Sequence, residues 1–176
     1  MIIGKNVDLV DVSVEDAEFI LSLRLNEDLN KYLSQVEDNI ENQRAWIKKS
    51  IDDVTAHYFI VKNKLGESIG TIRIYNITDK TFCWGSWIIK EDHRKYASLE
   101  SIVLLYKFAF IDLGFDETNF DVRKENTKAL KFYLRFGAVI TSENKQDYFL
   151  NYKKNKFLND LNNFNSTINA IEYDKS

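Results

Sequence analysis

Val122-Arg123-Lys124-Glu125-Asn126-Thr127-Lys128-Ala129-Leu130-Lys131-Phe132-Tyr133-Leu134-Arg135-Phe136-Gly137-Ala138 is the most ordered-looking stretch of this chain. A short strand ends at Val122, and three polar residues lead to Asn126, where a helix begins. Asn is a good N-cap, because its side-chain oxygen accepts one of the exposed backbone N–H groups. Ala129, Tyr133 and Phe136 then share one helical face. Gly137 supplies the stop, since a left-handed residue commonly ends a helix. On these terms Tyr133 is one member of an aromatic core stripe.

Outward from this helix the period changes. Upstream, Ile3 to Val12 reads as a first strand, with Val10 and Val12 as its apolar positions. Ser13 and Asp16 resemble a capping box, and Ala17, Ile20, Leu21 and Leu25 recur at helical spacing. Asn26 to Lys31 is a polar break. Asp38 or Asn39 can cap a second helix carrying Trp46, Ile47 and Ile51. His57 to Lys62, Ser68 to Tyr75 and Thr81 to Lys90 are three strands separated by turns. A loop, Glu91 to Tyr96, leads to a long apolar helix from Ala97 to Leu113, with Gly114 as its stop. Asn119 to Val122 precedes the quoted helix, and Ala138 to Thr141 and Tyr148 to Tyr152 close the sheet. The order predicts a mixed α/β domain with a mostly antiparallel central sheet over residues 1–153. The Asn-rich tail, 154–176, places Phe157, Leu158, Leu161, Phe164, Ile168 and Ile171 near one helical face. It reads as a helix docked on its own domain or as a partner contact, such as a homodimer.

Composition narrows the functional classes. The chain has 176 residues, 44% of them hydrophobic, which suits one globular domain. A net charge of -3 without a basic run lacks the footprint of a nucleic-acid binder. Cys83 is the single cysteine, so no internal disulfide forms and no cysteine-rich zinc site exists; no metal is expected. The N-terminus lacks a signal-peptide core, and no apolar run reaches the roughly 20 residues of a membrane span. The longest, Ile102 to Leu113, is broken by Lys107 and Asp112. The expectation is a cytoplasmic protein with no membrane partner.

The linear pattern Val-x-x-x-Asn-x-x-Ala-x-x-Phe-Tyr-x-x-Phe-Gly-Ala resembles the acetyl-CoA-binding strand–helix segment of the GNAT superfamily. The element order resembles that family over nearly the whole domain. The resemblance implies a GNAT-like acyltransferase fold and an N-acetyltransferase that moves an acetyl group from acetyl-CoA to a primary amine. It implies that Tyr133 is the general acid, and that Asn126 and Ala129 lie at the cofactor. An amine attacks the thioester carbonyl, an oxyanion forms, and a thiolate departs. A thiol has a pKa of about 8.5 and a tyrosine of about 10, so a protonated phenol is available to the leaving group at neutral pH. In the family the preceding strand is splayed by a bulge, and its free backbone pairs with the pantetheine arm. That strand is here Trp84 to Lys90, with Trp87, Ile88 and Ile89 as backbone donors. Trp84 and Trp87 are equally good core residues.

One motif departs from the family. A glycine-rich loop usually cradles the CoA diphosphate at a helix start. Here the sequence is His93-Arg94-Lys95-Tyr96-Ala97-Ser98, which fits neither register of that loop cleanly. Arg94 and Lys95 can supply charge, and Tyr96, Ala97 and Ser98 lie where backbone donors are needed. No base is evident. His57 opens a central strand, and Glu27 and Asp28 lie in the polar break, yet each is ordinary where it stands.

The N-terminal third, Leu23 to Leu33 with Gln43 to Ile47, resembles a branch containing ribosomal-protein N-terminal acetyltransferases and nucleotide-linked amino-sugar acetyltransferases. By that analogy Arg24, Asn26, Tyr32 and Trp84 line the acceptor cleft. Arg24 would face a phosphate or carboxylate. A small nucleotide-linked amino sugar is preferred over a protein N-terminus. A non-catalytic domain that binds acyl-CoA or a partner is the reading from another class.

Overall fold

A computed structural model describes residues 1–171. Its strands are β1 (Ile2–Ile3), β2 (Val7–Asp11), β3 (His57–Asn63), β4 (Ser68–Tyr75), β5 (Thr81–Ile89), β6 (Glu117–Arg123), β7 (Val139–Glu143) and β8 (Asp147–Lys153). Its helices are α1 (Ala17–Leu25), α2 (Glu27–Asn30), α3 (Ile40–Asp52), α4 (Arg94–Lys107), α5 (Thr127–Phe136) and α6 (Lys154–Ala170). The strands form one sheet in the order β1-β2-β3-β4-β5-β6-β8-β7. Every pairing is antiparallel except β5 with β6. The mixed, mostly antiparallel sheet flanked by helices is the architecture the element order predicts.

Strand alternation divides the side chains between two faces. On one, Phe59, Ile72, Ile74, Phe82, Trp84, Phe120 and Tyr152 join the buried residues of α4 in the main core. On the other, Tyr58 and Ile60 pack with Ala17, Ile20 and Ile47 from α1 and α3. The periodicity that marks α1 and α3 is therefore real, but Leu25, Trp46 and Ile51 stay exposed. Asn39, rather than Asp38, caps α3, accepting from the Asn42 N–H.

Four local readings change. The single first strand is two, because Gly4 to Asn6 turn sharply between β1 and β2. That turn is anchored by the buried Glu100 carboxylate, which accepts from the backbone N–H groups of Lys5 and Asn6 and from Asn6 Nδ2. The polar break after α1 contains the short α2, capped by Asn26 Oδ1. The segment expected as a loop, Glu91 to Tyr96, is a 3₁₀ turn over Glu91–His93 running straight into α4. Glu91 and Asp92 suit a helix start, where negative charge is favourable. At its other end α4 continues into a π-helical turn, Phe108–Asp112.

The tail forms α6, with Phe157 and Ile168 buried in the main core and Phe164 stacked on Phe136 at 4.4 Å. Lys107 Nζ donates to Asn165 Oδ1 at 3.0 Å. Residues 172–176 of the predicted tail lie outside the described residues. The segment at α5 folds as its sequence indicates. Asn126 Oδ1 accepts from the Ala129 N–H at 3.2 Å, and Gly137 closes the helix at φ 106. Asn126→Ala is expected to lower stability by about 1 kcal/mol through loss of the cap. Gly137→Ala is expected to cost about 1–2 kcal/mol through left-handed strain. Urea unfolding followed by circular dichroism measures both.

Candidate active site

Strands β5 and β6 are parallel neighbours for only two registered pairs, Thr81–Glu117 and Phe82–Thr118. The fork is sealed where they part: Thr118 Oγ1 donates to Phe82 O at 2.9 Å, and Thr118 is fully buried. Beyond this point β5 remains paired with β4, while β6 remains paired with β8. One edge of β5 from Trp84 onward is therefore an unpaired backbone edge, opening into a wedge.

A bulge aims that edge. Arg73 pairs with Gly85 and Thr71 with Ile88, so two residues of β5 oppose one of β4. Ser86 takes the strain, at φ 49. Thr71 Oγ1 holds it by donating to Ser86 O at 2.7 Å. Close approach explains the neighbouring Gly85, where a Cβ would lie 3.2 Å from the Tyr75 hydroxyl. The splayed, bulged strand that the family resemblance implies for Trp84 to Lys90 is present.

The wedge is filled at its root by rings. Trp84, 4% exposed, lies 5.6 Å from the Tyr133 ring and 5.1 Å from Phe120. Trp87 packs on Phe132 at 5.5 Å, and its Nε1 donates to Ser101 Oγ at 3.2 Å. Ile88 and Ile89 are buried, so only their backbone faces the opening. The Tyr133 ring is thus a packing element, as the core reading holds. Its hydroxyl makes no hydrogen bond among the described residues. Burial, and then the charge of Asp121, push the phenol well above its ordinary pKa, so it stays protonated.

Asp121 is a residue the sequence reading missed. It lies on β6 beyond the fork, on the strand face opposite Phe120 and Val122. Desolvation and then the nearby Asp147 raise its pKa, against the pull of Arg123. Its side chain is exposed, and its charge reaches Tyr75, Cys83 and Tyr133. Its sequence setting, alternating with Asn119 and Arg123, looks like any solvated strand face. His57 is on the other face: its ring meets Phe108 edge-on at 5.1 Å, and burial lowers its pKa. Glu27 and Asp28 are exposed first-turn residues of α2.

The start of α4 differs from an open phosphate cradle. The His93 and Arg94 N–H groups are already bonded to the Lys90 and Glu91 carbonyls. Arg94 Nε donates to Ile89 O at 3.2 Å. The Tyr96 side chain turns inward, its hydroxyl 2.7 Å from His93 Nδ1, and Ala97 is buried. Lys95 is exposed and Ser98 half-buried.

A second cavity, of about 420 Å³, opens on the sheet face that carries α1 and α3. Arg24, Glu37, Trp46, Tyr58, Arg73 and Ser86 contribute to its walls. The bulge residue Ser86 thus links the cavity to the wedge. Of the residues expected at the acceptor cleft, Arg24 is here. Asn26 is occupied capping α2, Tyr32 lies beneath Lys31, and neither lines this cavity. Trp84 belongs to the core side instead. Tyr58 and Arg73 were not predicted, because β3 and β4 read simply as sheet, and Trp46 reads only as an apolar position of α3.

Residues 6–139 match the family model described as acetyltransferase (GNAT) domain. The chain is a GNAT-family acetyltransferase. It is 26% identical over 147 residues to acetyltransferase PseH of Campylobacter jejuni, a match covering 84% of this chain and 92% of that one. It also resembles the apo structure of FdhC, described as a nucleotide-linked sugar GNAT, at 36% identity and a TM-score of 0.83. That match covers 93% of this chain and 95% of the other. The spermidine N-acetyltransferase SpeG of Vibrio cholerae, solved with CoA and spermine, shares the fold at 20% identity and a TM-score of 0.78, over 88% of this chain and 99% of that one. Among the described residues no helix is long and apolar enough to cross a membrane, and no acidic, His or Cys group is arranged to hold a metal.

The bulge makes a direct prediction. Thr71→Val removes the hydroxyl that fixes Ser86 and should destabilise the fold by about 1 kcal/mol. Hydrogen exchange at the Ser86 and Trp87 amides should quicken. Unchanged exchange would show that Thr71 does not hold the bulge.

Proposed function

We propose that this acetyltransferase moves an acetyl group from acetyl-CoA to the primary amine of a small nucleotide-linked amino sugar, by direct attack on the thioester. The observation that carries the transfer reading is the parting of β5 from β6 beside the unpartnered Tyr133 hydroxyl. The free edge of β5 at Trp87 to Ile89 suits the amide-bearing pantetheine arm, which would pair as a strand does. The same N–H groups suit the oxyanion that forms on attack. Acetyl-CoA supplies the activated acyl group and the thiolate leaving group. Asn126 and Ala129 stand at the first turn of α5, on the far wall of the wedge. At the α4 start, Arg94, Lys95 and the backbone near Tyr96, Ala97 and Ser98 are the candidates for the CoA diphosphate. With two N–H groups already bonded, side-chain charge carries more of that task than in a glycine-rich loop.

Tyr133 donates its proton, or a hydrogen bond, to the departing sulfur. Asp121 takes a proton from the acceptor ammonium, directly or through water, so that the amine can attack. Each group is held in the form its task requires: the phenol protonated, and the carboxylate more basic than usual. The acceptor class is supported by the resemblance to FdhC, described as a nucleotide-linked sugar GNAT, at 36% identity. A protein N-terminus has no comparable support. Arg24 remains on the acceptor side through its place in the second cavity. Asn26 and Tyr32 border that side only through their neighbouring loop.

Mutagenesis, kinetics and calorimetry test this reading. Tyr133→Phe should lower kcat by about ten- to a thousandfold while leaving the Kd for acetyl-CoA nearly unchanged. An unchanged kcat would return Tyr133 to packing alone. Asp121→Asn should lower kcat/KM by about a hundredfold or more. In the parent enzyme kcat/KM should rise with pH through a midpoint above the ordinary value of an aspartate, because only the ionised Asp121 accepts a proton. In Asp121→Asn that limb should vanish. Acetyl transfer should be faster to nucleotide-linked amino sugars than to peptide N-termini. Absence of acetyl-CoA binding by calorimetry would overturn the catalytic reading as a whole.

A further inference from the structure

Two guanidinium groups face the acceptor cavity without a counter-charge. Arg24 donates to the Ser34 carbonyl and to Ser34 Oγ at 2.8 Å, but its Nε is buried and has no partner. Arg73 rises from β4 between two rings, 5.1 Å from the Trp46 centroid and 5.3 Å from that of Tyr75. Its Nε is likewise buried and unbonded. Among the described residues neither arginine has a carboxylate within ion-pair distance. Glu37, the acidic residue of the same wall, instead accepts from Asn42 Nδ2 at 3.0 Å. Arg24, Tyr58 and Arg73 line the same cavity.

A desolvated, unpaired charge is costly, and a fold retains two in one cavity only if something there compensates them. The chemistry of the compensating group follows from the donors. A guanidinium packed near two aromatic rings presents a fork of N–H groups, which matches two oxygens of a phosphate or carboxylate. We propose that Arg24 and Arg73 form an anion subsite that binds an oxyanion group carried by the acceptor, and that the same pair turns away polycationic amines. This deepens the proposed function: the acceptor is an amine that bears its own negative charge. Arg73 is a specificity residue, because it meets the part of the acceptor that does not react. The exposed Trp46 ring, held by Arg73 from beneath, borders the same space. The fold neighbour SpeG is a spermidine acetyltransferase, so the shared scaffold does not by itself exclude polyamines. The arginine pair supplies the discrimination.

The experiment uses the full chain with saturating CoA, so that the cofactor's own phosphates do not confuse the result. Calorimetry measures the Kd of thymidine diphosphate, inorganic pyrophosphate and glutamate. Binding of the first two but not of glutamate assigns the subsite to phosphate; binding of glutamate alone assigns it to carboxylate. Either outcome supports an anion subsite. Arg73→Gln and Arg24→Gln should each weaken the bound anion by about tenfold or more, with acetyl-CoA affinity unchanged. Arg73→Lys should recover part of that loss, because charge returns without the fork. Circular dichroism checks that each variant is folded. Steady-state transfer to spermidine should be slower than to any phosphate-bearing amine, and Arg73→Gln should narrow the gap. Failure of every anion to bind the parent protein, equal binding by the glutamine variants, or preference for spermidine would overturn the proposal. Acetyl-CoA binding and thiol release are read separately, so the acetyl-transfer reading stands or falls on its own.

Discussion

A sheet that stops pairing in its own middle has to satisfy or solvate the groups it leaves free, and this constraint organises the molecule. After Phe82 and Thr118 the two central strands diverge, each keeping only its outer neighbour. Backbone N–H and C=O groups buried without partners would be expensive. The divergence is therefore kept open to solvent and braced from beneath. Trp84, Phe120 and Tyr133 fill the root of the wedge, Thr118 closes the last carbonyl, and Thr71 secures the bulge. The aromatic content of the chain is spent largely here. Trp84, Tyr106, Phe136 and Tyr152 continue the same ring cluster down to α6. The tail helix thereby supports the floor on which the wedge rests.

The two walls of the wedge have opposite electrostatic preferences. Tyr133 is buried enough to stay protonated, while the carboxyl pKa of the exposed Asp121 is raised by partial desolvation and by Asp147. The negative carboxylate also makes loss of the phenolic proton harder. The cavity beyond Ser86 is different again, with two guanidiniums and little acidic compensation. The order of charge across the sheet is donor, carboxylate, then cation. An acceptor with an ammonium at one end and an anion at the other would find both ends matched.

Much of this was legible from residues in order. The Asn126 cap, the Ala129–Tyr133–Phe136 stripe and the Gly137 stop are local, so spacing alone reveals them. The strands β3, β4 and β5 follow from alternation and turn residues. What was missed is non-local. The turn at Gly4 to Asn6 depends on Glu100, which lies 94 positions away from Asn6. The helical character of Glu91 to His93 does not show in sequence, because a three-residue 3₁₀ turn is too short to display a period. Arg73 looked like an alternate polar residue of a strand, since nothing near it in sequence shows that Trp46 and Tyr75 would enclose it. Trp84 and Trp87 were ambiguous for the same reason: a side chain's layer depends on which helix covers it.

The start of α4 differs from the glycine-rich turn that the family resemblance implies. A glycine-rich turn offers anions several free N–H groups at close range. Here the 3₁₀ turn has used two of them internally, and Glu91 and Asp92 occupy the electropositive helix end. A diphosphate arriving at this end must displace or avoid those carboxylates. Arg94 and Lys95 stand beside them, with Arg94 only loosely paired to Glu91 at 3.8 Å. Exposed charge of this kind is screened by salt, whereas backbone donors in a tight cradle are not. The affinity of this site for CoA should therefore depend on ionic strength more steeply than a glycine-lined cradle would, and the free strand edge of β5 has to supply more of the binding.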